Sequence, residues 1–228
     1  MKKIIKYTIA TLSITIIILF LQNNDKVEKK KTLSNGKKSE DLVTVLRKQY
    51  NNNDIIGTIE IPGTEINENI LQTSDNEYYL SHDNYGNNDI YGSVFLDYRC
   101  HKDSKKLLIF GHNDYKDATP FSNLENYYDR SYYENNKYID VMIDNEKMKY
   151  QIFSVYIEPE DFTYMNLKIT DEQYKNDLIK YKNKSLYDTN VEVSENDKIL
   201  ILQTCSNHKD FKKYKDKYLL IIAKKLNS

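Results

Sequence analysis

From Ile55 onward the chain alternates short apolar runs with turns rich in Asn, Asp and Gly. The runs are Ile55–Ile61, Ser93–Leu96, Leu107–Phe110, Tyr138–Ile143, Tyr150–Ile157, Lys198–Gln203 and Tyr218–Ala223. Their length, their β-branched and aromatic content and the turn signals between them predict strands of a β-barrel or sandwich. Three stretches follow a helical period instead. Asp41 to Tyr50 places Leu42, Val43, Leu46 and Tyr50 at helical spacing, which predicts a short amphipathic helix leading into the domain. Phe121 to Tyr128 is a short helix candidate. Asp171 to Lys182 carries Tyr174, Leu178 and Tyr181 on one face, with acidic residues in its first turn where the helix dipole favours them.

The N-terminal end has a different pattern. Ile4 to Leu21 is mostly apolar with Lys6 as its only charge, and no small-residue cleavage site follows it. It reads as an uncleaved signal anchor rather than a cleaved signal peptide, with a membrane anchor over 1–22 as the expectation. Residues 23–40 are polar and Lys-rich and read as a flexible stalk. A single folded domain is expected over 41–228. Lysines flank the apolar run on both sides, so charge alone does not set its orientation.

Composition narrows the class. Lys+Arg is 33 and Asp+Glu is 34, a balance that gives no general attraction to nucleic acid. Gly (6) and Pro (3) are too scarce for collagen-like or linker-dominated architectures. Tyrosine, at 21, is abundant while Trp is absent, which suits a polar-surfaced β protein whose rings pack and whose hydroxyls reach water. Only two cysteines occur, Cys100 and Cys205. A bridge between them is one reading; two unrelated thiols, with Cys100 incidental, is the preferred one.

Two strand ends carry the candidate chemistry. The apolar run from Lys198 stops at Thr204 and Cys205, and a polar loop follows. A rigid strand would fix the sulfur while the loop leaves it reachable. The run from Leu107 ends at Gly111, His112 and Asn113. Gly111 permits a tight turn, and histidine, the side-chain type whose unperturbed pKa lies nearest neutrality, can take and return a proton at position 112. Either residue alone reads more readily as structural. Together they form the Cys–His pair that activates a thiol nucleophile. His82, His101 and His208 lack the spacing of a metal site, and no phosphate-loop, dinucleotide or serine-hydrolase motif is present. No metal and no cofactor are expected.

Several co-linear motifs together resemble class B sortases over nearly the whole chain. These are DIIGTIEIPG at 54–63, DNEYYLSH at 75–82, GSVFLDYR at 92–99, IFGHN at 109–113 and LQTC at 202–205. The resemblance implies a mainly β fold, an eight-stranded sortase-type barrel with short peripheral helices, an N-terminal helix and a helix inserted before the last strands. It implies cleavage of a secreted protein's C-terminal sorting signal after Thr, a thioester on Cys205, and resolution by an amine of the cell-wall peptidoglycan or its precursor. His112 would move the protons. It also implies a single-pass cell-membrane protein of a Gram-positive cell, held by its N-terminal helix with the catalytic domain extracellular.

One departure stands out. The family carries an Arg on its last strand, and this chain has arginines only at 47, 99 and 130. Alignment of the terminal strand puts Tyr218 at that position, with Lys217 beside it; one of the two would substitute. Adjacent strand residues face opposite ways, so only one can face the thiol. The groove-closing loop maps to 156–167, with Tyr164 and Met165 as candidate lining residues and Thr204 and Gln203 as further substrate contacts. A sortase-like hydrolase and a weakly catalytic module that binds sorting signals are the alternatives.

Overall fold

The computed structural model describes residues 40–114 and 119–227. Eight strands close into a barrel: β1 (Ile55–Glu60), β2 (Asn67–Leu71), β3 (Phe95–Leu96), β4 (Lys106–Phe110), β5 (Tyr138–Ile143), β6 (Glu146–Glu158), β7 (Ile199–Cys205) and β8 (Tyr218–Lys225). Around the barrel the order is β1-β2-β3-β4-β7-β8-β6-β5. Two neighbouring pairs run parallel, β2 with β3 and β4 with β7; the others are antiparallel.

The strands form where the apolar runs predict them, with one addition. β2 has buried residues only at its end, Ile70 and Leu71, because the rest of NENIL is polar. So weak an alternation does not stand out from a turn. β4 and the first four residues of β7 are buried throughout, as expected of strands covered on both faces. Their continuous apolar character follows from that position.

Helix α1 (Leu42–Tyr50) starts at Asp41, whose carboxylate accepts from the Thr44 N–H. It ends at Asn51 in the left-handed region, a conformation that asparagine tolerates. The Phe121–Tyr128 candidate is a 3-10 helix over Ser122–Tyr128, followed by a further short helix, α2 (Arg130–Asn135), not anticipated from the pattern. Helix α3 (Asp171–Lys184) joins β6 to β7 and buries Tyr174, Leu178 and Tyr181, the face read from its period. A capping box fixes its start: Thr170 Oγ1 accepts from Gln173 N–H, and Gln173 Oε1 accepts from Thr170 N–H.

The tyrosines correct one expectation. Many lie in the core rather than at its edge. Tyr127, Tyr164 and Tyr174 are fully buried, and their hydroxyls donate to protein acceptors: Asn136 O at 2.6 Å, Gln203 Oε1 at 2.8 Å and Asp197 O at 2.7 Å. A buried hydroxyl that finds an acceptor avoids most of its desolvation penalty.

The expected membrane localisation is also corrected. Among the described residues no helix is long and apolar enough to cross a membrane. The longest, α3, has 14 residues, whereas a bilayer core needs about 20. The run Ile4–Leu21 and the stalk up to residue 39 lie outside the described residues.

At Gly57 the backbone of a neighbouring strand leaves no room for a side chain. A Cβ there would sit 1.7 Å from the Met142 carbonyl oxygen, on the neighbouring strand and beside a register shift in β1. A backbone atom cannot swing aside as a side chain can. Gly57→Ala is therefore expected to cost about 3 kcal/mol, the upper part of the overpacking range. Urea unfolding would read this as a lower midpoint at unchanged slope.

Candidate functional site

The parallel pairing of β4 with β7 builds the site. Phe110 lies opposite Gln203, and the Gly111 N–H continues the ladder to the Gln203 carbonyl at 3.2 Å. Beyond that point Thr204 Oγ1 donates to the Gly111 carbonyl (2.7 Å), and Asn113 Nδ2 donates to the Cys205 carbonyl (2.9 Å). The ends of the two strands are thus stitched together past their regular pairing. His112 and Cys205 emerge side by side from adjacent strands.

Gly111 is required by contact rather than by a turn. A Cβ there would lie 2.6 Å from the Phe121 ring. The Phe121 N–H also donates to the His112 carbonyl at 3.0 Å, so the same loop clamps the histidine's backbone.

The imidazole orientation is set from the other side. His112 Nε2 lies 2.7 Å from the Leu80 carbonyl oxygen. A carbonyl only accepts, so Nε2 carries a proton, and Nδ1 is the nitrogen left to exchange one. Cys205 ends β7 with an exposed edge, and its thiol is free, as is the buried Cys100. The two cysteines are not bridged. Burial raises the Cys205 pKa above the ordinary thiol range; Lys217 opposes the shift and Asp216 adds to it. Cys100 is pushed up to about 11, again by burial, which makes it inert at neutral pH.

These residues sit at a groove of about 270 Å³ lined by Asn76, Leu80, Phe95, Phe110, Gly111, His112, Met165, Gln203, Thr204, Cys205 and Tyr218. A larger cavity of about 720 Å³ lies elsewhere, between Tyr98, Lys105, Lys168 and Tyr174, and contains neither member of the Cys–His pair. Among the described residues no three His, Cys, Asp or Glu side chains group as a metal site would require.

Tyr218 and Lys217 separate clearly. Tyr218 lies directly opposite Cys205 in the antiparallel β7–β8 pair, so both side chains project from the same face. Its ring packs edge-on against Phe162 at 5.6 Å. Lys217 is not part of the groove lining, and its ammonium donates to the Tyr214 carbonyl at 3.3 Å. It reaches the thiol only through its field. The three arginines are committed elsewhere: Arg47 to the Ile55 carbonyl, Arg99 to Asp97 and Arg130 to Glu134.

Of the expected substrate contacts, Thr204, Gln203 and Met165 line the groove. Tyr164 does not. It is fully buried behind the wall, and its hydroxyl holds the Gln203 side chain at 2.8 Å. Position in the loop does not reveal which neighbour turns inward. Asn76, Leu80, Phe95 and Phe110 also line the groove and were not singled out from sequence. Asn76 and Leu80 belong to the DNEYYLSH motif, which was the available signal.

Comparison with known proteins agrees with this architecture. Residues 59–225 match the sortase family, described as the Sortase domain. Sortase B of Listeria monocytogenes is 36% identical over 166 residues, covering 71% of this chain and 67% of the relative. A substrate complex of Staphylococcus aureus sortase B superposes with a TM-score of 0.73 at 28% identity, covering 89% of this chain and 94% of the other. A sortase B complexed with triglycine has a TM-score of 0.73 at 27% identity, covering 92% and 98% of the two chains. With the barrel, the motifs and these relatives in agreement, the chain belongs to the sortase family and is a cysteine transpeptidase of the sortase B kind.

Proposed function

We infer that Cys205 is the nucleophile, His112 its proton-transfer partner and Tyr218 the donor to the developing oxyanion. The observation that carries this reading is the β4–β7 register, which sets His112 and Cys205 side by side at the mouth of one groove. The reaction follows from the chemistry of these groups. The Cys205 thiolate attacks the carbonyl carbon of the sorting signal's Thr, and a tetrahedral oxyanion forms. The C–N bond breaks as protonated His112 gives its proton to the leaving amine, leaving an acyl thioester on Sγ. A primary amine then attacks the thioester and loses a proton to His112, and the thiolate departs. The relatives solved with substrate and with triglycine support a peptide donor and an amine acceptor. The acceptor proposed for this chain is the amine of a cell-wall peptide or its precursor, and the clients are surface proteins of a Gram-positive cell.

Tyr218 can fill the place of the missing Arg only in part. Burial holds its pKa above the ordinary phenol range, so its hydroxyl keeps its proton at neutral pH and can donate. It offers one hydrogen bond and no charge, where a guanidinium offers a fork.

Three measurements test the reading. Quenched peptides carrying NPQTN-, NPKTG- and PPKTG-like motifs should be cleaved after Thr, with the product diverted to an amide by added amine. Cys205→Ala should abolish both outcomes; cleavage that persists in this variant, or a product that stays hydrolysed in excess amine, rejects the transpeptidase assignment of these residues. Tyr218→Phe is expected to lower kcat about 10²-fold, the lower end of losses seen when one oxyanion donor is removed. An unchanged kcat would remove Tyr218 from the mechanism.

The third test concerns pH. Because the Cys205 pKa is raised, thiolate is the minor form at neutral pH, and alkylation by iodoacetamide should accelerate as pH rises through and beyond the ordinary thiol range. Lys217→Ala removes the charge that favours thiolate, so the profile should move to higher pH. Asp216→Asn removes a charge that disfavours it, so the profile should move to lower pH. Shifts of the opposite sign would contradict the assigned electrostatics.

A further inference from the structure

The GSVFLDYR motif takes no part in the chemistry above, yet its last residues join the two walls of the groove. Asp97 is fully buried, and its carboxylate is held entirely by hydrogen bonds from Asn76 and Arg99. Its Oδ2 accepts from Asn76 Nδ2 at 2.9 Å. The Arg99 guanidinium grips the same carboxylate through two nitrogens, Nε to Oδ1 at 2.8 Å and Nη2 to Oδ2 at 2.7 Å. Asn76 cannot flip, because its Oδ1 accepts from the Tyr98 N–H at 3.0 Å.

Arg99 reaches further. Nη2 also donates to the Met165 carbonyl at 3.2 Å. The carbonyls on either side are held by a second cation. Lys106 Nζ, buried beneath the loop, donates to Tyr164 O at 3.3 Å and Asn166 O at 3.0 Å, with Asp177 as its counter-ion at 3.2 Å. Three consecutive carbonyls, 164 to 166, are therefore held by two side chains from outside their own loop. Met165 and Asn76 both line the catalytic groove, from separate segments of the chain.

We propose that Arg99, fixed by Asp97, is a positioning residue that ties the Met165 wall to the Asn76 wall and so sets which peptide side chains the groove admits. The proposal rests on the groove being the peptide site described above. The planar fork is what the arrangement needs: two nitrogens face the carboxylate and one of them also meets the carbonyl, a geometry a single ammonium cannot reproduce. Arg99 touches no reacting atom, so its loss should alter recognition and leave the chemical step alone.

The test uses the full chain carrying Arg99→Met, which keeps an apolar stem, and Arg99→Lys, which keeps the charge. Hydrogen exchange is read first because it needs no substrate. Amides over 162–167 should exchange about tenfold faster in Arg99→Met, with those of β7 unchanged. Steady-state kinetics follow on peptides varied at positions preceding the scissile Thr. KM for the preferred peptide should rise about tenfold and the ranking among peptides should flatten, with kcat and the Cys205 alkylation rate within about twofold of the parent. Arg99→Lys should restore only part of both effects. Unchanged exchange over 162–167 overturns the tie whatever the activity does. Faster exchange with unchanged KM and ranking overturns its role in selection. A fall in kcat and in alkylation together overturns it in favour of a direct catalytic or general structural role. Faster exchange beside a parent chain that turns over no peptide after Thr would instead count against the assigned reaction.

Discussion

The arrangement depends on one constraint, the parallel pairing of β4 with β7. Antiparallel neighbours would send the ends of these two strands to opposite rims of the barrel. Parallel neighbours in register send them to the same rim, one residue beside the other. Parallel pairing requires a crossover rather than a hairpin, and here the chain from β4 to β7 takes in β5, β6 and α3. The hydrogen bonds beyond the regular ladder, Thr204 to Gly111 and Asn113 to Cys205, join residues 93 and 92 positions apart in sequence. They extend the rigidity of the sheet into the segment where the proposed chemistry takes place, which is what a precisely placed nucleophile and base require.

The walls of the groove are held by a different physical means. The loop after β6 has little regular structure, and buried or half-buried cations bind it down. Lys184 pairs with the buried Glu158 at the end of β6, Lys180 pairs with Asp161, and Lys106 and Arg99 hold the carbonyls beyond. Lys180 holds the Asp161 carboxyl well below its usual range, together with the hydrogen bonds from Thr163. The buried Lys106 and Glu158 each have a charged partner, and the carbonyls of 164–166 each have a donor, which is the condition for placing polar groups next to a core. The loop is thereby shaped before any peptide arrives.

Electrostatics at the thiol oppose one another. Burial disfavours the thiolate, Asp216 adds to that effect and Lys217 offsets part of it. With a tyrosine rather than an arginine facing the sulfur, no fixed positive charge among the described residues is in direct contact with it. In the proposed mechanism activation then falls to His112, whose Nε2 proton is engaged by the Leu80 carbonyl and whose Nδ1 is the remaining exchanging position. This arrangement places more weight on the imidazole than a site with a guanidinium beside the thiol would.

What the sequence determined by itself were the properties that are local. Period-2 and continuous apolar runs marked seven of the eight strands, and the spacing of Tyr174, Leu178 and Tyr181 marked the buried face of α3. The thiol and the imidazole stood out because each ends an apolar run. The motifs in series identified the family. β2 escaped because its register is imposed by β1 on one side and β3 on the other, not by its own polar residues. Only the tertiary structure decided that Tyr218 and not Lys217 faces the thiol, since the choice turns on a cross-strand register between Cys205 and Tyr218. The same holds for Tyr164, which packs behind the wall while Met165 lines it, and for Gly111, whose need for no side chain comes from the Phe121 ring. The physical reason is common to these cases. A side chain's type is written in its own position, whereas the face it presents and the partner it meets depend on groups brought alongside it by folding.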